Sequence, residues 1–401
     1  MGDEMRNVLY WMILLSVGAC IVNVSFAKPL PRGDWEPTAH AALQAAIDRH
    51  EKDSDAYAVF DFDMTCAIGD CGHCTMDRLV RDLAFAFRPE DAERIFFEGV
   101  PDLDKPLEAR FPKATVRNVV LDCADLHREL LEAAKTHSVA EMQRMEAMAA
   151  LASKVRFLRK RVPRTFGSAF GYPWNKRFFY GMTQQALTAL VQKALDDASQ
   201  KPFCRGVWRT PATKAGRAGV VEVQMLYGFS VPREMKELLR AFRESGIASY
   251  VVSGSFHDKV LAAAVPHYGV GFDPEKIFGI HIKTNASGRF VGQLDDRFPM
   301  PWAAGKPDVI RSQIAVRHHG RDPVFVFGDA NGDYAMLTSF TNMEVGLVFD
   351  TQPDSASDLG KLNAAILDGR AKGCYFLQGR DEARGMLNGT KTSTLAPLTC
   401  Q

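Results

Sequence analysis

The sequence predicts an α/β protein built on a doubly wound parallel sheet, into which a mostly helical domain is inserted. Two observations carry this prediction. Short apolar segments alternate with amphipathic helices near the start of the chain and again after about residue 229, which is typical of buried parallel strands. Between them, from about residue 76 to 228, the periodicity is mostly helical. The strands therefore belong to one sheet that a helical insertion interrupts.

The first predicted elements lead directly to a pair of aspartates. Residues 37–50 carry apolar side chains at helical spacing, and residues 56–60 form a short apolar run typical of a buried strand. Asp61 and Asp63 follow this run. We therefore expect both carboxylates at the end of a strand.

The inserted stretch contains two predicted helices and an aromatic segment between them. The helices cover residues 139–160 and 183–198, and both are amphipathic. The segment 165–180 holds seven aromatic side chains, including Trp174. Because glycines and a proline interrupt its helical pattern, we expect a loop there.

Helices and strands alternate again in the second half of the chain. In chain order the sequence predicts a helix at 232–245, a strand at 249–252, a helix at 257–265, a hairpin from 277–283 and 289–294, and strands at 324–327 and 345–349. Ser253 and Asp329 stand just after two of these strands. Since parallel strands meet a ligand crevice at their carboxyl ends, we expect both residues to face the same crevice as Asp61. The polar tail, residues 381–401, is expected to be loosely held.

Bulk composition gives no sign of a nucleic-acid-binding surface. The 401 residues carry a net charge of +1 from 49 basic and 48 acidic side chains, so no large surface of one sign is expected. This length suits one core domain with a sizeable second domain. We expect a small-molecule partner and no nucleic acid.

The first 27 residues have the pattern of an export signal. Residues 8–22 are apolar, and Ser25 and Ala27 offer small side chains at the −3 and −1 positions of a signal-peptidase site. An uncleaved membrane anchor and a lipoprotein signal with Cys20 as the lipidated residue are alternatives. All three place the rest of the chain outside the cytoplasm, as a secreted, periplasmic or membrane-anchored protein. Contact with a membrane is expected only through such an anchor or lipid.

Four carboxylates, a hydroxyl and an ammonium are expected at the crevice. They belong to Asp61, Asp63, Asp329, Asp333, Ser253 and Lys306. Clustered carboxylates repel one another unless a cation joins them, and oxygen ligands favour Mg²⁺. One aspartate can attack phosphorus while a second moves a proton, and the serine and lysine can hold phosphate oxygens. This set of side chains predicts Mg²⁺-dependent phosphoryl transfer.

The order of these residues resembles the motifs of the haloacid dehalogenase superfamily of phosphatases. DxDxT at 61–65 is followed by the strand-end Ser253, by Lys306 and by GDxxxD at 328–333. The resemblance implies a Rossmann-like core with a helical cap after the first motif, as in phosphoserine phosphatase-like and phosphorylcholine phosphatase-like members. Asp63 favours phosphate chemistry, because a dehalogenase needs no acid at that position.

This resemblance divides the chain into domains. They are a signal peptide or anchor at 1–27, a linker and N-terminal helix at 28–51, a catalytic core at 52–75 and 229–380, a helical cap at 76–228, and a C-terminal tail at 381–401.

The resemblance also implies a role for each matched residue. Asp61 is the nucleophile, Asp63 is the acid and base, and Thr65 supports their loop. The implied metal ligands are Asp61, Asp63 through its backbone carbonyl, Asp329 and Asp333, and the implied phosphate-binding residues are Ser253, Gly254 and Lys306.

The inserted cap is expected to select the leaving group. An aromatic wall that includes Trp174 would suit a quaternary ammonium, and packing in the core of the cap is the alternative. We expect a small amine-bearing ester, phosphocholine-like or phosphoserine-like. Phosphoserine phosphatases usually have Asn just before the last aspartate, where this chain has Gly332 and places Asn331 one position earlier. That departure puts phosphoserine in doubt.

Three of the eight cysteines lie close to the first motif, at Cys66, Cys71 and Cys74. An exported chain oxidises some of its thiols, so we predict a disulfide within this group. Zinc bound by the group with His73, and redox chemistry at the CGHC sequence, are alternatives. Further candidate pairs are Cys123 with Cys204 and Cys374 with Cys400.

The function predicted from the sequence is hydrolysis of a small phosphomonoester outside the cytoplasm through an aspartyl-phosphate. Two alternatives belong to other classes. One is a phosphotransferase that passes the phosphoryl group to an alcohol, and the other is a non-catalytic receptor on the same fold.

Overall fold

The computed structural model describes residues 29–266, 269–371 and 373–397. The predicted signal segment with Cys20, and Cys400 at the other end, lie outside the described residues. Within the described ranges, none of the helices has the length and apolarity needed to span a bilayer.

A six-stranded parallel sheet forms the centre of the fold. The strands are β1 (Tyr57–Phe60), β2 (Cys204–Arg209), β3 (Glu222–Tyr227), β4 (Ala248–Phe256), β5 (Ile277–Ile280), β6 (Ile282–Thr284), β7 (Phe290–Leu294), β8 (Phe325–Gly328), β9 (Val345–Phe349), β10 (Tyr375–Gln378), β11 (Arg380–Asp381) and β12 (Met386–Leu387). The large sheet has the order β10-β9-β8-β1-β4-β5, and each neighbouring pair is parallel. The order reverses at β1, so the predicted doubly wound, Rossmann-like sheet is confirmed.

The helices cover both faces of this sheet and build the insertion. They are α1 (Pro37–Arg49), α2 (Cys71–Arg81), α3 (Ala92–Phe97), α4 (Val116–Ala133), α5 (Val139–Met142), α6 (Glu146–Phe166), α7 (Ser168–Trp174), α8 (Gln184–Ser199), α9 (Arg233–Ser245), α10 (His257–Ala264), α11 (Gly305–Val309), α12 (Tyr334–Thr338) and α13 (Asp358–Leu367). Alternate residues of β1 enter different apolar clusters: Ala58 and Phe60 pack in one, and Tyr57 and Val59 in the other. Because side chains alternate across a strand, this division means that β1 is buried on both faces.

The insertion lies between β1 and β4 and contains α2 to α8. It also contains an antiparallel hairpin of β2 and β3, with Cys204 opposite Tyr227, which the sequence analysis missed. A second hairpin differs from the prediction. Ile277 pairs with Val251 of β4 and so belongs to the large sheet, and only β6 pairs with β7.

The aromatic segment 165–180 is helical, so the predicted loop is wrong. α7 covers its middle, and a 3₁₀ turn at Asn175–Phe179 follows. Gly171 is needed for packing, because a Cβ there would lie 2.3 Å from the Cα of Pro163 in α6. The glycine therefore allows two helices to approach closely and does not break one.

The C-terminal segment packs against the rest of the chain as far as residue 397, where the described residues end, which corrects the prediction of a loose tail over that range. Arg380 and Glu382 are each 1% exposed, and Glu382 pairs with Arg205 of β2 at 2.7 Å. The backbone N–H of Ser393 donates to Asp350 Oδ2 at 2.8 Å. Glu382 and Ser393 are thus buried with hydrogen-bonding partners, which offsets the cost of their desolvation. Other polar residues of the segment, such as Arg384 and Thr392, are exposed as expected.

Candidate active site

The loop after β1 holds the first two candidate residues in different surroundings. The N–H of Asp61 donates to the carbonyl of Phe327 at 3.0 Å, which continues the β1–β8 pairing up to the carboxylate. Asp63 accepts two hydrogen bonds, from the N–H of Cys71 at 2.7 Å and from the hydroxyl of Ser255 at 2.5 Å. Thr65 donates to Asp329 Oδ1 at 2.9 Å and so ties this loop to the end of β8.

A bulge in β4 brings Ser253 to the same place. The register of β4 against β5 shifts between Val252 and Phe256, and such bulges redirect side chains at strand ends. Ser253 is buried, and its Oγ accepts from the N–H of Ser255 at 3.2 Å. Gly254 lies beneath Trp302, whose ring a Cβ would meet at 3.0 Å.

Lys306 in α11 joins two of the carboxylates. Its Nζ lies 2.6 Å from Asp61 Oδ1 and 2.6 Å from Asp333 Oδ1. Burial opposes the charge of this lysine, but the two carboxylates outweigh burial and raise its pKa. The preceding Gly305 has no room for a side chain, since a Cβ would lie 2.1 Å from the carbonyl oxygen of Met300.

The loop after β8 completes a group of three carboxylates. Asp333 Oδ2 accepts from the N–H groups of Asp329 and Ala330, both at 3.0 Å. One oxygen from each of Asp61, Asp329 and Asp333 lies within 4.8 Å of the others, and all three residues are buried. Three buried carboxylates face one ammonium, so negative charge is in excess.

Burial and the crowding of negative charge raise the pKa of two of these carboxyl groups. Burial raises the pKa of Asp61 to about 7 although Lys306 opposes the shift, and burial followed by the charge of Asp333 raises the pKa of Asp329. Oxygen ligands with unbalanced negative charge suit a hard divalent cation such as Mg²⁺. The side chain of Asp63 lies outside this group, and its backbone carbonyl as a metal ligand stays a prediction.

These residues line a cavity of about 520 Å³ between the sheet and the insertion. From the predicted set it includes Asp61, Asp63, Ser253, Gly254, Lys306, Asp329 and Asp333. From the insertion it includes Arg159, Tyr172 and Lys176. The volume exceeds what a phosphate group alone fills and leaves room for a small leaving group.

A family model described as haloacid dehalogenase-like hydrolase matches residues 155–338. Residues 155–338, a little under half of the chain, are thus similar to this hydrolase family. The matched span contains Ser253, Lys306, Asp329 and Asp333, whereas Asp61 lies upstream of it and joins them in space through β1. The resemblance noted in the sequence is thereby confirmed at the level of this hydrolase domain.

One solved structure shares the fold, and two others are less similar. A functionally unknown protein from Anaerococcus prevotii is similar over 92% of this chain and 99% of its own, with a TM-score of 0.82 and 23% identity. A haloacid dehalogenase family hydrolase from Salmonella enterica serovar Typhi has a TM-score of 0.34 and 11% identity, over 77% of this chain and 64% of its own. A phosphoserine phosphohydrolase-like protein from Francisella tularensis has a TM-score of 0.33 and 13% identity, over 76% of this chain and 92% of its own. No curated protein sequence matches the chain.

Trp174 does not line the cavity of this hydrolase domain, so the prediction that it contacts substrate is wrong. It is 1% exposed, and its Nε1–H donates to the carbonyl of Phe96 at 2.9 Å. Its ring packs edge-on against Phe96 and Phe178. Tyr172, two residues earlier, reaches the cavity and packs against Trp302 with ring centroids 4.3 Å apart. The helical path of α7 turns one aromatic side chain inward and the other toward the cavity.

The cysteines near the first motif are free, which overturns the predicted disulfide among them. Cys66 donates to the carbonyl of Asp61 at 3.1 Å, so its thiol stabilises the loop after β1. Burial raises the pKa of Cys66, Cys71 and Cys74, which favours the thiol and disfavours redox or metal-binding thiolate. Within the described ranges the only group with metal-ligand geometry is the aspartate triad, so the zinc alternative with His73 is also wrong.

The other two cysteine pairs are not formed either. Cys123 and Cys374 are both free, whereas Cys204 is disulfide-bonded. Cys374 donates to the carbonyl of Met343 at 3.0 Å.

Arg380 is a site residue that the sequence analysis missed. Its buried guanidinium donates to the carbonyl of Met64, in the loop between Asp63 and Thr65. Its charge also acts on Asp329 and so offsets part of the carboxylate repulsion. No motif marks it, because it belongs to the C-terminal segment and meets the loop only after folding.

We expect Arg380→Met to lower the free energy of unfolding by about 1–3 kcal/mol, because it leaves the buried carbonyl of Met64 without this donor and removes a positive charge near Asp329. Urea unfolding monitored by fluorescence measures this change. The matched control is the exposed Arg384 in the same segment, whose change to Met should stay within about 0.5 kcal/mol. Equal stability of the two variants would show that Arg380 does not support the site.

Proposed function

We propose that the protein is a phosphatase that hydrolyses a small phosphomonoester through an aspartyl-phosphate on Asp61, with Mg²⁺ as cofactor. The observation that carries the proposal is the division of labour between two carboxylates at one cavity. Asp61 is held by Lys306 beside two further aspartates. Asp63 is held by a hydroxyl and a backbone N–H instead. Two carboxyl groups in such different surroundings can take different roles, Asp61 as the nucleophile and Asp63 as the proton donor.

In the first step an oxygen of Asp61 attacks phosphorus. Its Oδ1 accepts from Lys306, whereas Oδ2 has no hydrogen-bond partner in the described part of the chain. Ser253, Gly254 and Lys306 lie where they can bind the phosphate oxygens. The bond between phosphorus and the ester oxygen breaks, and the leaving oxygen takes the proton of Asp63.

Asp63 is suited to hold that proton. Burial and then the charge of Asp70 raise its pKa, although the hydrogen bond from Ser255 opposes them. A carboxyl group with a raised pKa keeps its proton closer to neutral pH, as a general acid must. In the second step Asp63 takes a proton from water, which attacks the aspartyl-phosphate and releases phosphate and Asp61.

A divalent cation fits the excess negative charge of Asp61, Asp329 and Asp333. When bound, Mg²⁺ neutralises charge on the phosphate and lowers its repulsion from the attacking carboxylate. The residues of the chain then fix the positions of these groups. Lys306 orients Asp61 and Asp333, and Thr65 orients Asp329.

We also propose that the protein works outside the cytoplasm. Support comes from the sequence alone, where an apolar run at 8–22 precedes a signal-peptidase pattern that ends at Ala27.

Removal of divalent metal is expected to abolish turnover. Purified protein should hydrolyse p-nitrophenyl phosphate with Mg²⁺, lose activity after exhaustive chelation with EDTA, and recover it when Mg²⁺ is restored. Ca²⁺ should not restore activity, because it is larger and accepts bidentate carboxylates, which would occupy both oxygens of Asp61. Full turnover after chelation would refute the metal requirement, and no turnover of any phosphomonoester with Mg²⁺ would refute the proposed function.

A further inference from the structure

Two buried lysines line the cavity without an ionic partner. Lys176, in the 3₁₀ turn after α7, is 5% exposed, and Lys259 of α10 is 3% exposed. Neither makes a hydrogen bond or an ion pair with any residue that the structure describes. Each ammonium lies over an aromatic ring, with the Nζ of Lys176 5.9 Å from the centroid of Tyr172 and the Nζ of Lys259 5.1 Å from that of Phe179. Burial of an ammonium without an anion beside it costs free energy. An anion that enters the cavity would offset this cost for both lysines.

Arg159 of α6 brings a third cation to the same wall. Its Nη2 lies 3.4 Å from Asp70 Oδ1, a long contact that neutralises it only in part. A Cβ on Gly72 would lie 2.6 Å from this Nη2 and 3.0 Å from the Nζ of Lys259. The glycine at the start of α2 thus leaves the space into which both cations project.

The three cations lie on the side of the cavity that holds Asp63. The carboxylates that act on both lysines are those of Asp70 and Asp63. Since Asp63 is the proposed proton donor, this wall faces the leaving group of the ester.

The charge of the cavity supports the same conclusion. Its lining contains six Lys or Arg residues and five Asp residues, so that positive charges outnumber negative ones by one when all of these groups are ionised. This excess persists when a divalent cation and a phosphate dianion are both bound, because their charges cancel. A second negative group on the substrate would neutralise it, whereas a quaternary ammonium would add to it.

We propose that Arg159, Lys176 and Lys259 form an anion subsite that binds a second acidic group on the leaving group of the substrate. The inference rests on the proposed function and narrows its substrate class. The preferred ester is then the phosphate of an acidic alcohol, whose second group is a carboxylate or another phosphate. A cationic ester such as phosphocholine is disfavoured, contrary to the expectation based on the aromatic segment.

The test compares esters of similar size that differ in charge. Phosphoglycolate represents a carboxylate and propane-1,3-diol bisphosphate a second phosphate, with ethyl phosphate, propyl phosphate and phosphocholine as comparisons. We expect kcat/KM to be higher for at least one acidic ester than for its neutral counterpart by about 10- to 100-fold, the range of a charged hydrogen bond. Which acidic ester is preferred distinguishes the two sources of the anion.

Lys176→Met and Lys259→Met should each remove most of this preference while ethyl phosphate stays within about threefold of the wild type. The matched control is Lys160→Met, because Lys160 also lines the cavity but donates to the carbonyl of Gln224 at 2.8 Å. It should keep the preference. Equal losses on acidic and neutral esters in the Lys176 and Lys259 variants, or a wild-type preference for phosphocholine, would overturn the subsite.

A binding measurement separates the subsite from the catalytic proposal. Calorimetry with phosphonoacetate and ethylphosphonate, which are not hydrolysed, should show tighter binding of phosphonoacetate, and Lys176→Met should weaken it. This result without turnover of any ester would leave the subsite standing and refute the phosphatase. Turnover without any difference between the two phosphonates would leave the phosphatase standing and refute the subsite.

Discussion

Asp61→Asn is expected to lower kcat by about 10⁴-fold or more, the largest effect of any single change in the site. The amide cannot form an acyl-phosphate, and its nitrogen cannot accept the hydrogen bond that Lys306 donates to Asp61 Oδ1. The measurement is steady-state hydrolysis of p-nitrophenyl phosphate with Mg²⁺. The variant should remain folded, because the change removes a carboxylate that is repelled by Asp333 and Asp63.

The matched control is Asp70→Asn. Asp70 lines the same cavity and caps α2, where its Oδ1 accepts from the N–H of His73 at 2.7 Å. Asn serves equally well as a helix cap, so this variant should fold and lose no more than about tenfold in rate through the small change at Asp63. If Asp61→Asn keeps near-normal turnover, Asp61 is not the nucleophile.

Asp63→Asn is expected to lower kcat by about 10²- to 10⁴-fold with little change in KM. The amide can keep the contacts with Ser255 and Cys71 but can neither give a proton to the leaving oxygen nor take one from water. With p-nitrophenyl phosphate the first step needs little proton transfer, since the nitrophenolate leaves readily. We therefore expect a burst of nitrophenolate followed by slow turnover as the phosphoenzyme accumulates.

Stopped-flow absorbance measures the burst and separates this role from a structural one. Ser255→Ala provides a comparison, because it removes the hydroxyl that donates to Asp63 Oδ2 at 2.5 Å and leaves the carboxyl in place. It should slow both steps by about tenfold without a burst. A raised KM with unchanged kcat in Asp63→Asn would mean that Asp63 binds substrate and does not move protons.

The core of the site could be predicted because its residues stand at strand ends. Parallel strands bring their carboxyl ends to one edge, so Asp61, Ser253 and Asp329 were placed together by topology although they are far apart in the chain. Lys306 lies in α11 and not at a strand end, and it was predicted from its position in the ordered motifs. The bulge that turns Ser253 toward the cavity left no recognisable sequence signal.

The insertion resisted prediction because its contacts depend on packing between helices. Gly171 and Pro173 suggested a loop, but the structure shows that the missing side chain of Gly171 allows α7 to pack closely against Pro163. Trp174 therefore packs inward, where hydrogen bonding of its indole is satisfied by Phe96. An aromatic-rich segment indicates burial more directly than it indicates a binding surface.

The residues that now define the far wall of the cavity carried no local pattern. Lys176 and Lys259 belong to no common motif, and they meet only because the 3₁₀ turn after α7 and helix α10 face the same space. Arg380, at the end of the predicted core, reaches the loop between Asp63 and Thr65 although no sequence motif connects them. The close spacing of Cys66, Cys71 and Cys74 in the sequence predicted a disulfide, but all three are free thiols in the structure.

Direct detection of the covalent intermediate tests the central claim most sharply. The Asp63→Asn variant is mixed with Mg²⁺ and p-nitrophenyl phosphate, quenched in acid during the burst, digested, and analysed by mass spectrometry. The account predicts a phosphoryl group on the peptide that contains Asp61, sensitive to hydroxylamine as acyl-phosphates are, and absent when Asp61→Asn is added to the same variant. A phosphoryl group on any other residue, or turnover with no phosphoenzyme at any time, would contradict it.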